Sequence, residues 1–246
     1  MKLYKYFIFL IIILVPCSSL FSTEKNDNKP IKILLIGNSY TLSVAVPFKN
    51  IVKQAKKNAI VVDASQGGWS LEQHASNKET LNKLKSNNWD YVTLQEKSTI
   101  ASRSGYHRML TSAKKLDSKI KLKGGKTLFL LPWAYRDGDP NFHRDTFYSM
   151  LKRVKKNYLV TAKDLKAGII PVGPAFKKVF ETRPDIELLA GDGTHVHVNG
   201  GYLAAYVFYA VIFKESPTKI PPGKHSPKDA KFLKRIAHKI VFGKRR

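Results

Sequence analysis

Short aliphatic runs recur along this chain at helix-length intervals, and that alternation limits the fold more than any other feature. Ile31–Ile36, Ile60–Ala64, Tyr91–Gln95, Thr127–Pro132 and Gly168–Val172 are short and rich in β-branched or aliphatic residues, as buried strands are. Helix-period stretches lie between them, and no repeat or long linker interrupts the pattern from Pro30 onward. A strand, a crossover helix and a return strand build a parallel sheet with helices on both faces. With 246 residues, 43 % of them hydrophobic, the chain can bury one substantial core. The expectation is a single α/β domain over residues 30–246 with a five-stranded parallel sheet.

Several helices are expected in detail. Pro47 suits a first helical position, followed by the stripe Phe48, Ile51, Val52 and Ala55. Ser70 with Gln73 has the spacing of a capping box, and Arg108–Leu122 and Phe142–Leu159 read as later helices. Tyr202–Phe213 is uncharged but falls short of the roughly 20 residues a membrane span needs, so it reads as a buried helix. Ser226-Pro227 opens a basic amphipathic helix with Phe232, Leu233, Ile236, Ile240 and Val241 on one side. Docking as the last helix of the domain is the expectation; lying on a membrane surface is the alternative.

The first 22 residues stand apart. Lys2 and Lys5 precede an uncharged run from Tyr6 to Leu20, the shape of a signal peptide, so export across the cytoplasmic membrane is expected. Cys17, the only cysteine, falls in this segment after Leu14-Val15-Pro16, a partial lipoprotein signal with Pro16 in place of the usual small residue. A mature domain without cysteine has no disulfide, thiol nucleophile or thiolate metal site. The net charge of +25 would attract anionic glycans or membrane surfaces. The lysines are scattered over polar helix faces rather than interleaved with aromatics, so a solvated basic surface, with no nucleic-acid partner, is the expectation.

Two distant segments carry the chemistry. Gly37-Asn38-Ser39-Tyr40-Thr41 directly follows the first strand, placing Ser39 at the carboxyl edge where open α/β sheets hold ligands. Asp192-Gly193-Thr194-His195 supplies an acid and a base just before the apolar helix. Nucleophile, base and orienting acid are the parts of a serine hydrolase. Between them, Gln66-Gly67-Gly68-Trp69-Ser70 follows the second strand and brings backbone N–H groups to the same edge, and the Gln95 carboxamide ends the third. Both could serve a developing oxyanion. A rival reading takes Asp192, His195 and His197 as metal ligands, with His74 or His143 completing the set.

Ile36-Gly37-Asn38-Ser39-Tyr40-Thr41, Gly67-Gly68-Trp69-Ser70-Leu71, Asp90-Tyr91-Val92-Thr93-Leu94-Gln95-Glu96, Pro132-Trp133-Ala134 and Asp192-Gly193-Thr194-His195 through Ala205 occur in one order over most of the domain. In these blocks the chain resembles the SGNH/GDSL hydrolase superfamily, and more narrowly its bacterial branch with Gly-Asn-Ser and Leu-Gln-Glu blocks. The resemblance implies a three-layer α/β/α flavodoxin-like sandwich and ester hydrolysis without a metal or cofactor. It implies Ser39 as nucleophile, His195 as base and Asp192 as acid, with Ser39, Gly68 and Gln95 forming the oxyanion hole. Asn38 replaces the family's aspartate, Gln95 stands where asparagine is commoner, and Val196 replaces a proline whose absence would loosen the loop.

These readings combine into an exported serine esterase in which His195 takes the Ser39 proton as general base. An acetylated glycan is the expected substrate, with Trp69 or Trp133 stacking on sugar. A lipid or lysophospholipid esterase, and an inactive envelope glycan-binding module, are the alternatives.

Overall fold

The computed structural model describes residues 29–103, 105–222 and 226–243. The signal peptide expected at residues 1–22, with Cys17, lies outside the described residues. Five strands, β1 (Ile31–Ile36), β2 (Ala59–Asp63), β3 (Tyr91–Leu94), β4 (Lys126–Leu131) and β5 (Gly168–Pro171), form one sheet in the order β2-β1-β3-β4-β5. Every pairing is parallel. Each strand matches its sequence expectation to within a residue at either end, because unbroken aliphatic runs leave little choice of register.

Nine α-helices occur among the described residues: α1 (Ser39–Gln54), α2 (Leu71–Ser76), α3 (Lys78–Lys85), α4 (Ser98–Ser102), α5 (Tyr106–Leu122), α6 (Phe147–Asp164), α7 (Val172–Thr182), α8 (Val198–Phe213) and α9 (Pro227–Phe242). The chain moves outward from β1 to β2, then reverses to β3, β4 and β5. Right-handed crossovers therefore put α1 on one face and the α2–α6 group on the other. The contacts agree, since α1, α7, α8 and α9 pack on one another while α2 packs on α5 and α4 on α6. The result is the α/β/α sandwich with its strand-order reversal at β1 and β3, where such sheets open a crevice at their carboxyl edge.

Two helix expectations need correction. Pro47 does not open a helix; it lies inside α1, which starts at Ser39 because the Asn38 side chain caps it, accepting from the Tyr40 N–H at 3.1 Å. Proline is tolerated there because its missing N–H releases only the Ser43 carbonyl. A Cβ on Gly201 of α8 would sit 3.3 Å from the Pro47 ring and 3.4 Å from that carbonyl, so glycine lets the two helices meet. The second correction concerns α6, which begins at Phe147 rather than Phe142. Thr146 and Ser149 form its capping box, and the residues before it turn around Asp139 and Asp145 instead of continuing a helix.

Helix α8 is buried nearly all round, with Phe208 against Phe48 of α1 at 5.4 Å. Helix α9 covers it, burying Leu233, Ile236 and Ala237. Docking thus buries Leu233 and Ile236 of the apolar side, while Phe232, Ile240 and Val241 are half-buried against the core. Lys234 goes in with it, its Nζ donating to the Ile220 carbonyl at 2.6 Å. No helix among the described residues is long and apolar enough to cross a membrane.

Candidate active site

The turn between β1 and α1 carries Ser39, and neighbouring segments hold it from three directions. Gly37 is required by close approach: a Cβ there would lie 2.1 Å from Thr41 Oγ1 and 2.7 Å from Gln95 Oε1. Its carbonyl accepts from the Gln66 N–H at 2.9 Å and from His74 Nε2 at 2.8 Å. The Asn38 amide donates to the Trp69 carbonyl at 3.3 Å, a bond the family's usual aspartate could not make when ionised. Ser39 is the first residue of α1, so its N–H has no intrahelical acceptor and faces outward with the positive end of the helix dipole.

His195 comes from the loop ahead of α8. Its Nε2 lies 3.0 Å from Ser39 Oγ, 156 residues away in sequence, and its Nδ1 lies 2.6 Å from Asp192 Oδ2. Asp192 Oδ1 accepts from the Thr194 and His195 N–H groups at 2.8 and 2.9 Å. The His195 bond, then the two backbone bonds, hold the Asp192 carboxyl far below the ordinary carboxylate range. A carboxylate on Nδ1 fixes the imidazole tautomer with its lone pair on Nε2, toward the serine. The side chains are 47 % and 49 % exposed for His195 and Asp192, so the triad opens directly to solvent.

Val196 does not loosen this loop. Leu189 and Val196 form an antiparallel bridge, with Ala190 N–H donating to the His195 carbonyl at 2.8 Å and His197 N–H to that of Leu188 at 2.9 Å. The segment after β4 clamps it from the side, Arg136 N–H reaching the Gly193 carbonyl at 2.8 Å.

Gly68 sits in a turn closed by the Trp69 N–H on the Gln66 carbonyl at 3.1 Å, with φ at 71° in the left-handed region that glycine favours. Its own N–H takes no part in that bond.

Gln95 does not belong with the oxyanion donors. It is fully buried behind the turn, where Oε1 accepts from the Asn38 N–H at 2.9 Å and from Thr41 Oγ1 at 3.0 Å. Its Nε2 donates to the Glu96 carbonyl at 2.6 Å. The extra methylene relative to asparagine carries the amide under the Ser39 turn instead of into the cleft.

Trp133 is not a sugar platform either. Both ring faces are covered, by Tyr40 at 4.3 Å and Phe176 at 4.9 Å, and its Nε1 donates to the Thr194 carbonyl at 2.8 Å. Trp69 is half-buried, with its ring tilted against His74 at 5.1 Å.

The metal reading finds no ligand set. His195 and His74 have both ring nitrogens engaged, His74 between the Gly37 carbonyl and Thr80 Oγ1 at 3.0 Å. No group of three or more His, Cys, Asp or Glu side chains suited to a metal occurs among the described residues. Burial keeps the His74 imidazole below its ordinary pKa, hence neutral, and its Nε2–H donates to Gly37.

Sequence reasoning gave Glu96 no role and offered His74 only as a metal ligand. Glu96 is buried, and its Oε1 accepts from the Lys97 N–H at 2.6 Å and the Leu71 N–H at 3.3 Å. The capping box at Ser70 was the available signal for His74, since it sets that residue on the first turn of α2, beside the glycine loop.

No protein-family model and no curated protein matches this sequence. Solved structures do. A DUF4886 family protein from Bacteroides uniformis ATCC 8492 is 21 % identical, with 88 % of this chain and 97 % of that one aligned at a TM-score of 0.77. A protein from Slackia heliotrinireducens, described provisionally as an SGNH hydrolase, is 26 % identical over 73 % of this chain and 97 % of its own, at 0.63. A variant of an acetyl-xylooligosaccharide esterase from Geobacillus is 15 % identical over 74 % and 93 %, at 0.58. The five-stranded parallel sheet and its α/β/α sandwich are shared with these structures, several of them named as SGNH or GDSL-like hydrolases, and the likeness supports the SGNH/GDSL superfamily.

Proposed function

We propose that this protein is an exported serine esterase whose substrate is an O-acetylated carbohydrate. The hydrogen-bonded chain Ser39 Oγ–His195–Asp192, at 3.0 and 2.6 Å, carries the reading. In the first half-reaction Ser39 Oγ attacks the ester carbonyl carbon while His195 Nε2 takes its proton. The tetrahedral oxyanion is met by the Ser39 and Gly68 N–H groups at the positive end of α1. Collapse expels the alcohol, which receives the proton from His195, and leaves an acetyl group on Ser39. Water, deprotonated by His195, then releases acetate and restores the serine.

The carbohydrate assignment draws on the Geobacillus neighbour, named as an acetyl-xylooligosaccharide esterase, and on a triad open enough for a polymer to lie across it. Trp69, half-buried beside the Gly68 turn, is the aromatic surface left for a sugar. The lipid alternative rests on the basic charge and the C-terminal helix, and the second of these is weakened because α9 packs against α8 and buries Leu233 and Ile236. Export rests on the charge and apolar layout of residues 1–22.

Labelling with a fluorophosphonate probe, compared with Ser39→Ala, tests the nucleophile: the wild type takes the label and the variant does not. Release of acetate from acetylated glycans, set against fatty-acid release from phospholipid vesicles, tests the substrate. Turnover confined to vesicles would reject the carbohydrate.

A further inference from the structure

A groove with a cavity volume of about 630 Å³ lies between α4, α6 and the segment joining β4 to α6. That segment touches the candidate catalytic loop at one end, through Trp133 and Arg136, and lines the groove with Asn141 and Phe142 at the other. The groove therefore adjoins the same sheet edge as Ser39.

Its charges are arranged in two tiers. Asp139 and Asp145 are buried, with side-chain exposures of 0 and 3 %, and each holds one arginine. Arg103 gives Nε and Nη2 to Asp139 at 2.8 and 2.6 Å, leaving Nη1 unused. Arg153 grips Asp145 with both Nη atoms at 3.0 and 2.5 Å, and its Nε reaches the Ser102 carbonyl at 3.1 Å. The guanidinium carbons are thus fixed with the carboxylates behind them and the cations, 34 and 28 % exposed, in front. Arg153 also lies 4.1 Å over the Phe142 ring. Lys156, exposed on the groove wall, makes no ion pair or hydrogen bond among the described residues. The Asn157 amide nitrogen is spent on the Ala101 carbonyl at 2.8 Å, leaving its oxygen as an acceptor.

We infer that this groove is a distal subsite for a carboxylated sugar unit, so that the esterase acts on acetylated acidic polysaccharide. Fixed guanidinium edges and a free ammonium match a carboxylate. Phe142, 40 % exposed, and the asparagine side chains suit the apolar face and hydroxyls of a pyranose. This inference rests on the esterase reading for its catalytic consequence, but the binding itself does not.

The test compares Lys156→Glu with Lys155→Glu, an exposed lysine of the same helix that does not line the groove. Arg103 is left intact, since removing it would strand buried Asp139. On acetylated oligogalacturonides Lys156→Glu should raise KM about tenfold while Lys155→Glu stays near wild type. On nitrophenyl acetate and acetylated xylo-oligosaccharides both variants should match wild type. Calorimetry on Ser39→Ala protein should show oligogalacturonide binding that weakens with salt and with Lys156→Glu. Equal effects of the two lysine variants, or equal KM for acidic and neutral glycans, would overturn the subsite. Ester hydrolysis surviving in Ser39→Ala would instead overturn the catalytic reading and leave the binding result standing.

Discussion

Trp133 Nε1 donates to the Thr194 carbonyl at 2.8 Å, tying the end of β4 to the loop that presents His195. The same ring lies between Tyr40 and Phe176, and Tyr40 meets His195 edge-on at 5.9 Å. One aromatic side chain thus sets the spacing between the serine turn and the imidazole.

Trp133→Phe should keep the stack and lose the hydrogen bond, at a cost of about 1 kcal/mol in stability. If the bond positions His195, kcat falls about tenfold with KM nearly unchanged. A drop in thermal midpoint with normal kcat would make the ring a packing element only.

Asp192→Asn leaves the loop geometry close to intact but removes the charge that fixes and stabilises the imidazole. Activity on nitrophenyl acetate should fall by roughly 10²- to 10⁴-fold. Ser39→Ala should fall at least as far. Steady-state kinetics on both variants check the order, and an Asp192→Asn enzyme within twofold of wild type would remove Asp192 from the machinery.

Gln95→Met separates positioning from oxyanion binding. Because Oε1 satisfies the buried Asn38 N–H and Thr41 hydroxyl, its loss should destabilise the fold by about 2 kcal/mol, read by urea unfolding. An oxyanion donor would instead give normal stability and a slower kcat.

Glu96 makes stability depend on pH. Burial raises its carboxyl from 4.5 to about 7, against the opposing pull of the Lys97 and Leu71 N–H groups and Arg108, with Glu72 adding to the rise. The Tyr158 hydroxyl also faces it, bonded to the Glu96 backbone. Between these two pH values the folded chain holds a proton the unfolded chain has released, so folding stability falls as pH rises through that window. The full effect is on the order of 3 kcal/mol. Glu96→Gln keeps the acceptor for both N–H groups and has no charge to bury, so it should flatten the slope and be the more stable protein above pH 8. Thermal melts of the two from pH 4 to 9 check this; parallel curves would refute it.

The sheet was readable because each strand is a continuous aliphatic run, a local property that needs no knowledge of the rest of the chain. The capping box at Ser70 and the uniformly apolar α8 were readable for the same reason. Local cues also misled. Proline is common at helix starts, so Pro47 pointed to a boundary, whereas the Asn38 cap and the space granted by Gly201 let α1 run through it. An amide at the end of β3 looked like an oxyanion donor, and a tryptophan near the cleft looked like a sugar platform. Whether Gln95 turns under the serine turn or toward it depends on which backbone donors lie unsatisfied behind that turn. Whether Trp133 is free depends on Tyr40 and Phe176, which come from other elements.

From residue order alone came the parallel α/β architecture and the presence of a hydroxyl, an imidazole and a carboxylate on segments bound for one edge of the sheet. Periodicity, caps and chain order act over a few residues, and sequence carries them directly. Only the tertiary structure decided that the hydroxyl and imidazole stand 3.0 Å apart, that Gln95 and Trp133 support the site from behind, and that Glu96 is sealed away from water. Those outcomes depend on packing between segments far apart in the chain, where a side chain's direction is set by neighbours that its own surroundings in the sequence do not name.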